Sequence, residues 1–103
     1  KCIYGIETNF YAAGGSKLNE TSRSYKMIAE EAEKVVGFEF VWFTDGMGWI
    51  SARNNLKETF DNMDNIYNIV DMKNGIMKEI SIKKLMKSKV IILFCFLLIW
   101  RVL

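Results

Sequence analysis

The sequence predicts an α/β fold in which helices cover a sheet. Three observations support this prediction: strand-like and helix-like segments alternate along the chain, each longer helix-like segment has one apolar stripe, and the second strand-like segment is apolar on both faces. The 103 residues form one domain at most, and half of them are hydrophobic and a quarter charged. This composition excludes a disordered or collagen-like chain.

The first predicted strand runs from Cys2 to Tyr11 and ends at the Ala-Ala-Gly-Gly-Ser run that follows it. A helix is expected next, with Asn19 as its N-terminal cap and Gly37 as its C-terminal cap. Its apolar stripe recurs at helical spacing and consists of Tyr25, Ile28, Ala29, Ala32, Val35 and Val36. This segment therefore predicts a strand followed by a helix that packs through one face.

The second half of the body repeats the same alternation. Residues 38–43, with the sequence FEFVWF, predict an interior strand covered on both sides. A second helix is expected at residues 52–63 with Ser51 as its cap, then a short strand at residues 66–70 and a short amphipathic helix near residues 76–80. The stripe of the second helix consists of Ala52, Leu56, Phe60 and Met63.

The distribution of charge divides the chain near Glu79. All 12 acidic residues lie at or before Glu79, whereas five of the 14 basic residues lie after it. From Ser81 the sequence is basic and then continuously apolar over the 11 residues from Val90 to Trp100. We therefore predict a net acidic body at residues 1–80 and a basic, then hydrophobic tail at residues 81–103.

Three interpretations of this tail stay open. It packs on the body as a terminal segment, it is frame-shifted or run-on sequence that belongs to no fold, or it anchors the protein in a membrane with its lysines on the cytoplasmic side. A spanning helix needs about 20 apolar residues, so the membrane interpretation is the least favoured. The start of the chain, which lies inside the first strand, is expected to be a truncation.

The cysteines and the absence of histidine limit the chemistry. Cys2 and Cys95 lie far apart, and the chain has no histidine. A disulfide framework and a Cys/His zinc site are disfavoured, and every histidine-dependent triad is excluded. The expected compartment is a reducing cytoplasm.

The first strand carries the residues that point most clearly to chemistry. Glu7 and Asn9 stand two apart, so a strand directs both side chains to one face and Ile6, Thr8 and Phe10 to the other. The Gly-Gly-Ser-Lys loop beyond them suits a phosphate, because glycines let a backbone approach closely and Ser-Lys stands at a helix start. An acid facing a phosphodiester suits Mg²⁺, which lowers the pKa of an attacking water. One acid holds the ion weakly, so a further carboxylate is expected.

Three blocks of this sequence resemble one known family. The strings GIETNFYAAGGSKLNETSRSYKMIAEEA, FVWFTDGMGW and IYNIVDMKNGIMKEI are similar to the C-terminal part of the DpnII and MboI type restriction endonucleases, members of the PD-(D/E)XK nuclease superfamily. The resemblance covers residues 1 to about 80, and the order of the blocks makes it specific. It implies a partial restriction-endonuclease-like core with a mixed sheet flanked by helices.

The resemblance also implies an activity and a set of site residues. The expected activity is Mg²⁺-dependent cleavage of double-stranded DNA at the palindrome GATC by a homodimer that belongs to a restriction-modification system. Glu7 matches the acid of the family's E-x-K pair, and it is expected to bind the metal together with the backbone carbonyl of Thr8. Asn9 stands in the usual lysine position, where an amide can hold a water or a phosphate oxygen. Ser16 and Lys17 are the expected DNA contacts, and Lys17 replacing the usual lysine is a weaker hypothesis.

Two departures from the family pattern keep an alternative open. Asparagine replaces lysine at Asn9, and the family's partner aspartate lies upstream and is absent from this chain. The fragment is therefore expected to be inactive by itself. The alternative is a non-catalytic α/β DNA-binding or dimerisation module of degenerate nuclease fold. Elsewhere in the chain, Asp45 is expected to support a turn, and Trp42 and Trp49 are expected in the core or in a dimer contact.

Overall fold

A computed structural model of the chain describes residues 2–82. Along the chain lie β1 (Ile3–Phe10), α1 (Lys17–Glu33), β2 (Phe38–Asp45), a 3-10 helix (Met47–Ala52), α2 (Arg53–Asn62), β3 (Ile66–Tyr67) and α3 (Ile69–Lys73). Residues 76–82 are also helical. The predicted α/β class is confirmed. The predicted tail lies outside the described residues except for its first two positions.

The three described strands form one parallel sheet in the order β1-β2-β3. β1 and β2 pair over their full length, from Ile3 opposite Phe38 to Phe10 opposite Asp45. The interior position predicted for the second strand is confirmed, because β2 lies between the other two. The sequence predicted a mixed sheet, whereas the strands within residues 2–82 are all parallel. Each connection between them passes through a helix, and such a crossover returns the chain in the same direction.

The ends of α1 differ from the prediction. The helix begins at Lys17, two residues before the predicted cap, and Ser16 occupies the N-cap position without a side-chain hydrogen bond. The side chain of Asn19 instead accepts a hydrogen bond of 2.6 Å from Asn55 Nδ2 on α2. Gly37 does not cap the helix, which ends at Glu33; its φ of 78° allows the turn into β2.

The element boundaries in the second half of the body also differ from the prediction, because side-chain contacts set them. Ser51 does not cap α2, because its hydroxyl donates to the Gly48 carbonyl at 3.1 Å inside the 3-10 helix. β3 is shorter than predicted, since α3 already begins at Ile69. The Ile69 amide donates to Asp45 Oδ2 at 3.1 Å, which fixes the start of α3 beside the end of β2.

The hydrophobic core lies between β2, α1 and the 3-10 helix. Its central residue is Trp42, which is fully buried. The buried residues of the cluster are Leu18, Ala29, Trp42, Trp49, Ala52, Met63 and Ile66. The core placement of both tryptophans is therefore confirmed. The predicted stripe of α1 is wrong in part. Ile28 is exposed because the helix turns Leu18 and Ser22 to the core instead, and Val35 and Val36 are exposed beyond the end of the helix at Glu33.

A buried pair of hydroxyl groups joins α1 to α2. Ser22 Oγ and Thr59 Oγ1 lie 2.7 Å apart, and both residues are 2% exposed. Each also contacts the Asn55 carbonyl at 3.1 Å, so neither hydroxyl is left without a partner. The contact lets two helices pack closely through small polar side chains without an orphaned polar group.

The turn after β2 depends on Gly46. Its φ is 114°, a conformation that side-chain-bearing residues rarely adopt, and a Cβ at this position would collide with the carbonyl oxygen of Tyr11. We therefore expect Gly46→Ala to lower the free energy of unfolding by at least about 2 kcal/mol. Urea unfolding of the two proteins measures this difference. Gly75→Ala is the comparison, because Gly75 also has a positive φ but open space at its Cβ; an equal loss in both variants would contradict the steric part of the argument.

The chain divides into two compact units between Val70 and Asp71. The first contains the sheet and its covering helices. The second begins within α3 and contains a turn at Gly75 and the helical residues 76–82, in which Ile80 is buried. Across the part of the chain that the structure describes, none of the helices has the length and apolar character needed to cross a bilayer.

Candidate active site

Glu7 and Asn9 share one face of β1, as their spacing predicts. This is the face that α1 covers, because Tyr25 of α1 donates a hydrogen bond to Glu7. Both polar residues are half-buried, whereas Ile6 and Phe10 on the opposite face are 50% and 61% exposed. A strand under a helix usually turns its apolar side chains to the helix and its polar side chains to solvent. In β1 the polar side chains lie under the helix and the apolar side chains are exposed. Such an inversion costs free energy unless the polar groups find partners.

Tyr25 is the partner of Glu7. Its hydroxyl donates to Glu7 Oε1 at 3.0 Å, and its ring packs edge-on against Trp42, with a distance of 4.8 Å between ring centroids. Burial raises the pKa of Tyr25, and the hydrogen bond to Glu7 and the negative charge of Glu7 raise it further. The phenol therefore stays protonated and donates to the carboxylate over the whole neutral range.

The side chain of Asn9 is fixed by hydrogen bonds from residues of β2. Its Oδ1 accepts hydrogen bonds from Trp42 Nε1 at 3.1 Å and from Thr44 Oγ1 at 2.6 Å. The Thr44 hydroxyl in turn accepts a bond of 2.8 Å from Trp49 Nε1. An indole N–H only donates, so these contacts fix which end of the Asn9 amide is the oxygen. The amide nitrogen must therefore point away from β2.

The amide nitrogen of Asn9 is a buried donor. Among residues 2–82, Asn9 Nδ2 has no hydrogen-bond partner, and it is shielded from solvent. It lies close enough to the Tyr25 hydroxyl to oppose the rise in the pKa of Tyr25, although no hydrogen bond of good geometry joins the two groups. An unpaired buried N–H costs about 1–3 kcal/mol, so this donor stands out within the described residues.

The backbone carbonyl of Thr8 faces away from β2. The amides of Ile3 and Tyr11 donate to Gly37 and Asp45, so odd-numbered residues of β1 direct their backbone groups toward β2. Alternation along a strand then directs the backbone groups of even-numbered residues to the other edge. Within residues 2–82 no strand covers that edge. The Thr8 carbonyl is thus outside the β1-β2 ladder.

The loops after β1 and β2 pack on one another. The Gly48 amide donates to the Tyr11 carbonyl at 2.8 Å, and a Cβ on Gly14 would collide with the Ser51 hydroxyl. Ser16 and Lys17 follow at the exposed start of α1. No described hydrogen bond or ion pair joins the Lys17 side chain to Glu7 or Asn9.

Asp45 supports the turn after β2, as predicted. Its Oδ1 accepts a hydrogen bond of 2.7 Å from the Gly46 amide, and its Oδ2 accepts one of 3.1 Å from Ile69. Both oxygens are therefore used in holding the backbone, and the carboxylate is part of the scaffold of this loop.

The donor atoms of residues 2–82 fit a metal ion only in part. Glu7 Oε2 and the Thr8 carbonyl are hard oxygen ligands of the kind that Mg²⁺ prefers, and no described side chain donates to Glu7 Oε2. No group of three or more His, Cys, Asp or Glu residues that could hold a metal is found in residues 2–82. Residues 2–82 therefore offer one carboxylate and one carbonyl that could bind a hard cation, but not a full ligand set.

Sequence reasoning missed two residues of this site. The sequence pattern predicts Tyr25 only as a member of the apolar stripe of α1, and it gives Thr44 no role. A signal for Thr44 exists, because Trp42 and Thr44 stand two apart on β2 just as Glu7 and Asn9 do on β1. The parallel register sets Glu7 opposite Trp42 and Asn9 opposite Thr44. The sequence alone does not predict that register.

Comparison with known proteins gives one consistent result. A family model described as DpnII restriction endonuclease matches residues 1–79. The chain is 56% identical over 78 residues to the type II restriction enzyme DpnII of Streptococcus pneumoniae, covering 76% of this chain and 27% of the relative. It is 39% identical over 85 residues to MboI of Moraxella bovis, covering 82% of this chain and 30% of the relative.

A third relative, the type II restriction enzyme MjaIII of Methanocaldococcus jannaschii, is 43% identical over 81 residues, covering 78% of this chain and 28% of the relative. The chain therefore spans less than a third of the length of each of these curated relatives. No solved structure matches the chain significantly.

Proposed function

Because this chain belongs to the DpnII restriction endonuclease family, we propose that it forms part of a type II restriction endonuclease that cuts double-stranded DNA. The observation that carries the proposal is the family match over residues 1–79, together with 56% identity to a relative named as a type II restriction enzyme. From the resemblance, we further propose GATC as the recognition sequence, a homodimer as the active form of the complete enzyme, and the cytoplasm as its compartment.

We propose Mg²⁺ as the cofactor, with Glu7 and the Thr8 carbonyl as two of its ligands. Two observations support this assignment: none of the described residues donates a hydrogen bond to Glu7 Oε2, and the Thr8 carbonyl lies outside the β1-β2 ladder. When bound, Mg²⁺ polarises a phosphodiester and makes its water ligand more acidic. The remaining ligands are proposed to come from residues outside residues 2–82, including at least one further carboxylate, since one acid alone binds the ion weakly.

The other site residues have distinct proposed roles. Glu7 contributes negative charge and is held in place by Tyr25. Asn9 contributes a hydrogen-bond donor whose direction is set from β2, although its Nδ2 is buried and reaches a water or phosphate oxygen only after a local movement. Ser16 and Lys17 are proposed to contact the DNA backbone, because they lie exposed at the positive end of the 17-residue α1.

The incomplete ligand set leads to a direct prediction. We expect these 103 residues alone to nick a supercoiled GATC-containing plasmid no faster than a buffer control in Mg²⁺, because the described residues offer one carboxylate where a stable site needs more. Agarose-gel analysis of the plasmid measures this. The complete enzyme serves as the positive control, and robust Mg²⁺-dependent cleavage by the chain alone would show that the site is complete within it.

A second candidate function is a non-catalytic α/β module that binds DNA or dimerises. The commitment of the Asn9 oxygen to Trp42 and Thr44 favours it, because an amide built into the core does not replace a catalytic lysine directly. Binding of a GATC duplex by the complete protein without cleavage in Mg²⁺ or Mn²⁺ would support this module. Cleavage at GATC would exclude it.

A further inference from the structure

We propose that Tyr25 is a positioning residue for Glu7 and that its hydroxyl sets the carboxylate orientation needed for metal binding. This inference rests on the proposed function, because it assigns a second residue to the same site. Tyr25 does not touch the reacting atoms in this role. It acts through the hydrogen bond of 3.0 Å to Glu7 Oε1, which leaves Oε2 as the oxygen available to a cation.

The contacts of Glu7 single out this tyrosine. Among residues 2–82, no other side chain donates a hydrogen bond to the Glu7 carboxylate. A glutamate has three rotatable side-chain bonds, so without a fixed donor its two oxygens exchange positions freely. A hydrogen bond to a charged group contributes about 1.5–3 kcal/mol, which is enough to hold one arrangement.

Tyr25 is itself fixed in place. It belongs to the middle of α1, and its ring packs against Trp42 and Phe40 with centroid distances of 4.8 and 6.2 Å. Trp42 is fully buried and also donates to Asn9. The hydroxyl therefore sits at the end of a rigid aromatic cluster, and this rigidity is what a group that orients a metal ligand requires.

The same cluster links the two polar residues of β1. Trp42 and Thr44 hold the oxygen of Asn9, and the buried Nδ2 of Asn9 lies close to the Tyr25 hydroxyl. The hydroxyl donates a hydrogen bond to Glu7, and the lone pairs of its oxygen can still accept hydrogen bonds. Glu7, Tyr25, Trp42 and Asn9 are therefore neighbours in one set of contacts.

A purely structural role for Tyr25 gives a different expectation. In that case the ring alone matters, and loss of the hydroxyl changes stability but not the metal requirement. Tyr25→Phe separates the two roles, since it keeps the ring contacts and removes only the oxygen. Tyr11→Phe is the matched control: Tyr11 packs edge-on against Trp49 at 5.5 Å in the same cluster, but its hydroxyl forms no described hydrogen bond to Glu7.

The test uses the complete enzyme in two assays. Cleavage of a GATC duplex is measured as a function of Mg²⁺ concentration, and Ca²⁺ binding to the enzyme–duplex complex is measured by calorimetry. We expect Tyr25→Phe to raise the half-saturating Mg²⁺ concentration and the Ca²⁺ dissociation constant about tenfold, with a smaller change in the rate at saturating Mg²⁺. Both assays run well below the unfolding midpoint of every variant, and Tyr11→Phe should match the wild type.

A Glu7→Gln variant in the calorimetry separates failure of this inference from failure of the proposed function. Weaker Ca²⁺ binding in both Glu7→Gln and Tyr25→Phe supports the inference. Weaker binding in Glu7→Gln with wild-type binding in Tyr25→Phe overturns the inference and leaves the proposed site intact. Wild-type binding in Glu7→Gln overturns the metal role of Glu7 and the inference with it. A loss in Tyr11→Phe equal to that in Tyr25→Phe also overturns the inference, because a general effect of the cluster would then explain both.

Discussion

Glu7→Gln in the complete enzyme is expected to reduce Mg²⁺-dependent cleavage at GATC by at least about 100-fold while leaving sequence-specific DNA binding intact. Glutamine keeps the length of the side chain and an oxygen that can accept the Tyr25 hydrogen bond, so the surroundings change little. It removes the negative charge that we propose binds the metal. A loss of about 2.7 kcal/mol of transition-state stabilisation already gives a 100-fold decrease in rate.

The measurement pairs single-turnover cleavage with a binding assay in the absence of Mg²⁺. Glu30→Gln is the matched control, because it makes the same chemical change at an exposed position of α1. We expect that control to cut at the wild-type rate. Cleavage by Glu7→Gln at a rate within a few-fold of the wild type would show that Glu7 is not a catalytic-site residue.

Trp42→Ala is expected to lower the free energy of unfolding by about 3–5 kcal/mol. Trp42 is fully buried and packs edge-on against both Tyr25 and Trp49, at 4.8 and 5.7 Å between ring centroids. Its removal leaves a large cavity and also deprives Asn9 of a hydrogen-bond donor. A small domain has a total stability of about 5–15 kcal/mol, so this loss approaches complete unfolding.

Urea unfolding followed by circular dichroism measures this effect. Trp42→Phe should cost clearly less than Trp42→Ala, because it keeps an aromatic ring and loses the indole N–H. Phe60→Ala is the control for removing a large aromatic side chain outside the core, since Phe60 is 60% exposed. A Trp42→Ala protein within about 1 kcal/mol of the wild type would show that the aromatic cluster does not organise the fold.

The elements that the sequence predicts well are those whose side chains face a uniform environment. β2 reads as an interior strand because it is apolar on both faces, and it is the central strand of the sheet. The predictions fail where a distant side chain decides. Asn19 forms a hydrogen bond with Asn55 instead of capping its own helix. β3 is shorter than predicted because the Ile69 amide donates a hydrogen bond to Asp45 at the start of α3.

The candidate site was predictable in part for the same reason. The spacing of Glu7 and Asn9 alone places them on one face of a strand. Which face α1 covers, and which partners hold the two side chains, depends on contacts between residues 18 to 35 positions apart. These contacts follow from the parallel register of β1 and β2 and from the docking of α1, neither of which can be read from local patterns.

We propose that the carboxylate of Glu7 binds the catalytic metal ion. The most direct test of this proposal is a crystal structure of the complete enzyme with a GATC duplex and Ca²⁺ in place of Mg²⁺. We expect an ion within about 2.3–2.6 Å of Glu7 Oε2 and of the Thr8 carbonyl, with Tyr25 still donating a hydrogen bond to Oε1. An ion held at the scissile phosphate by other residues, with neither oxygen of Glu7 among its ligands, would show that Glu7 does not bind the catalytic metal.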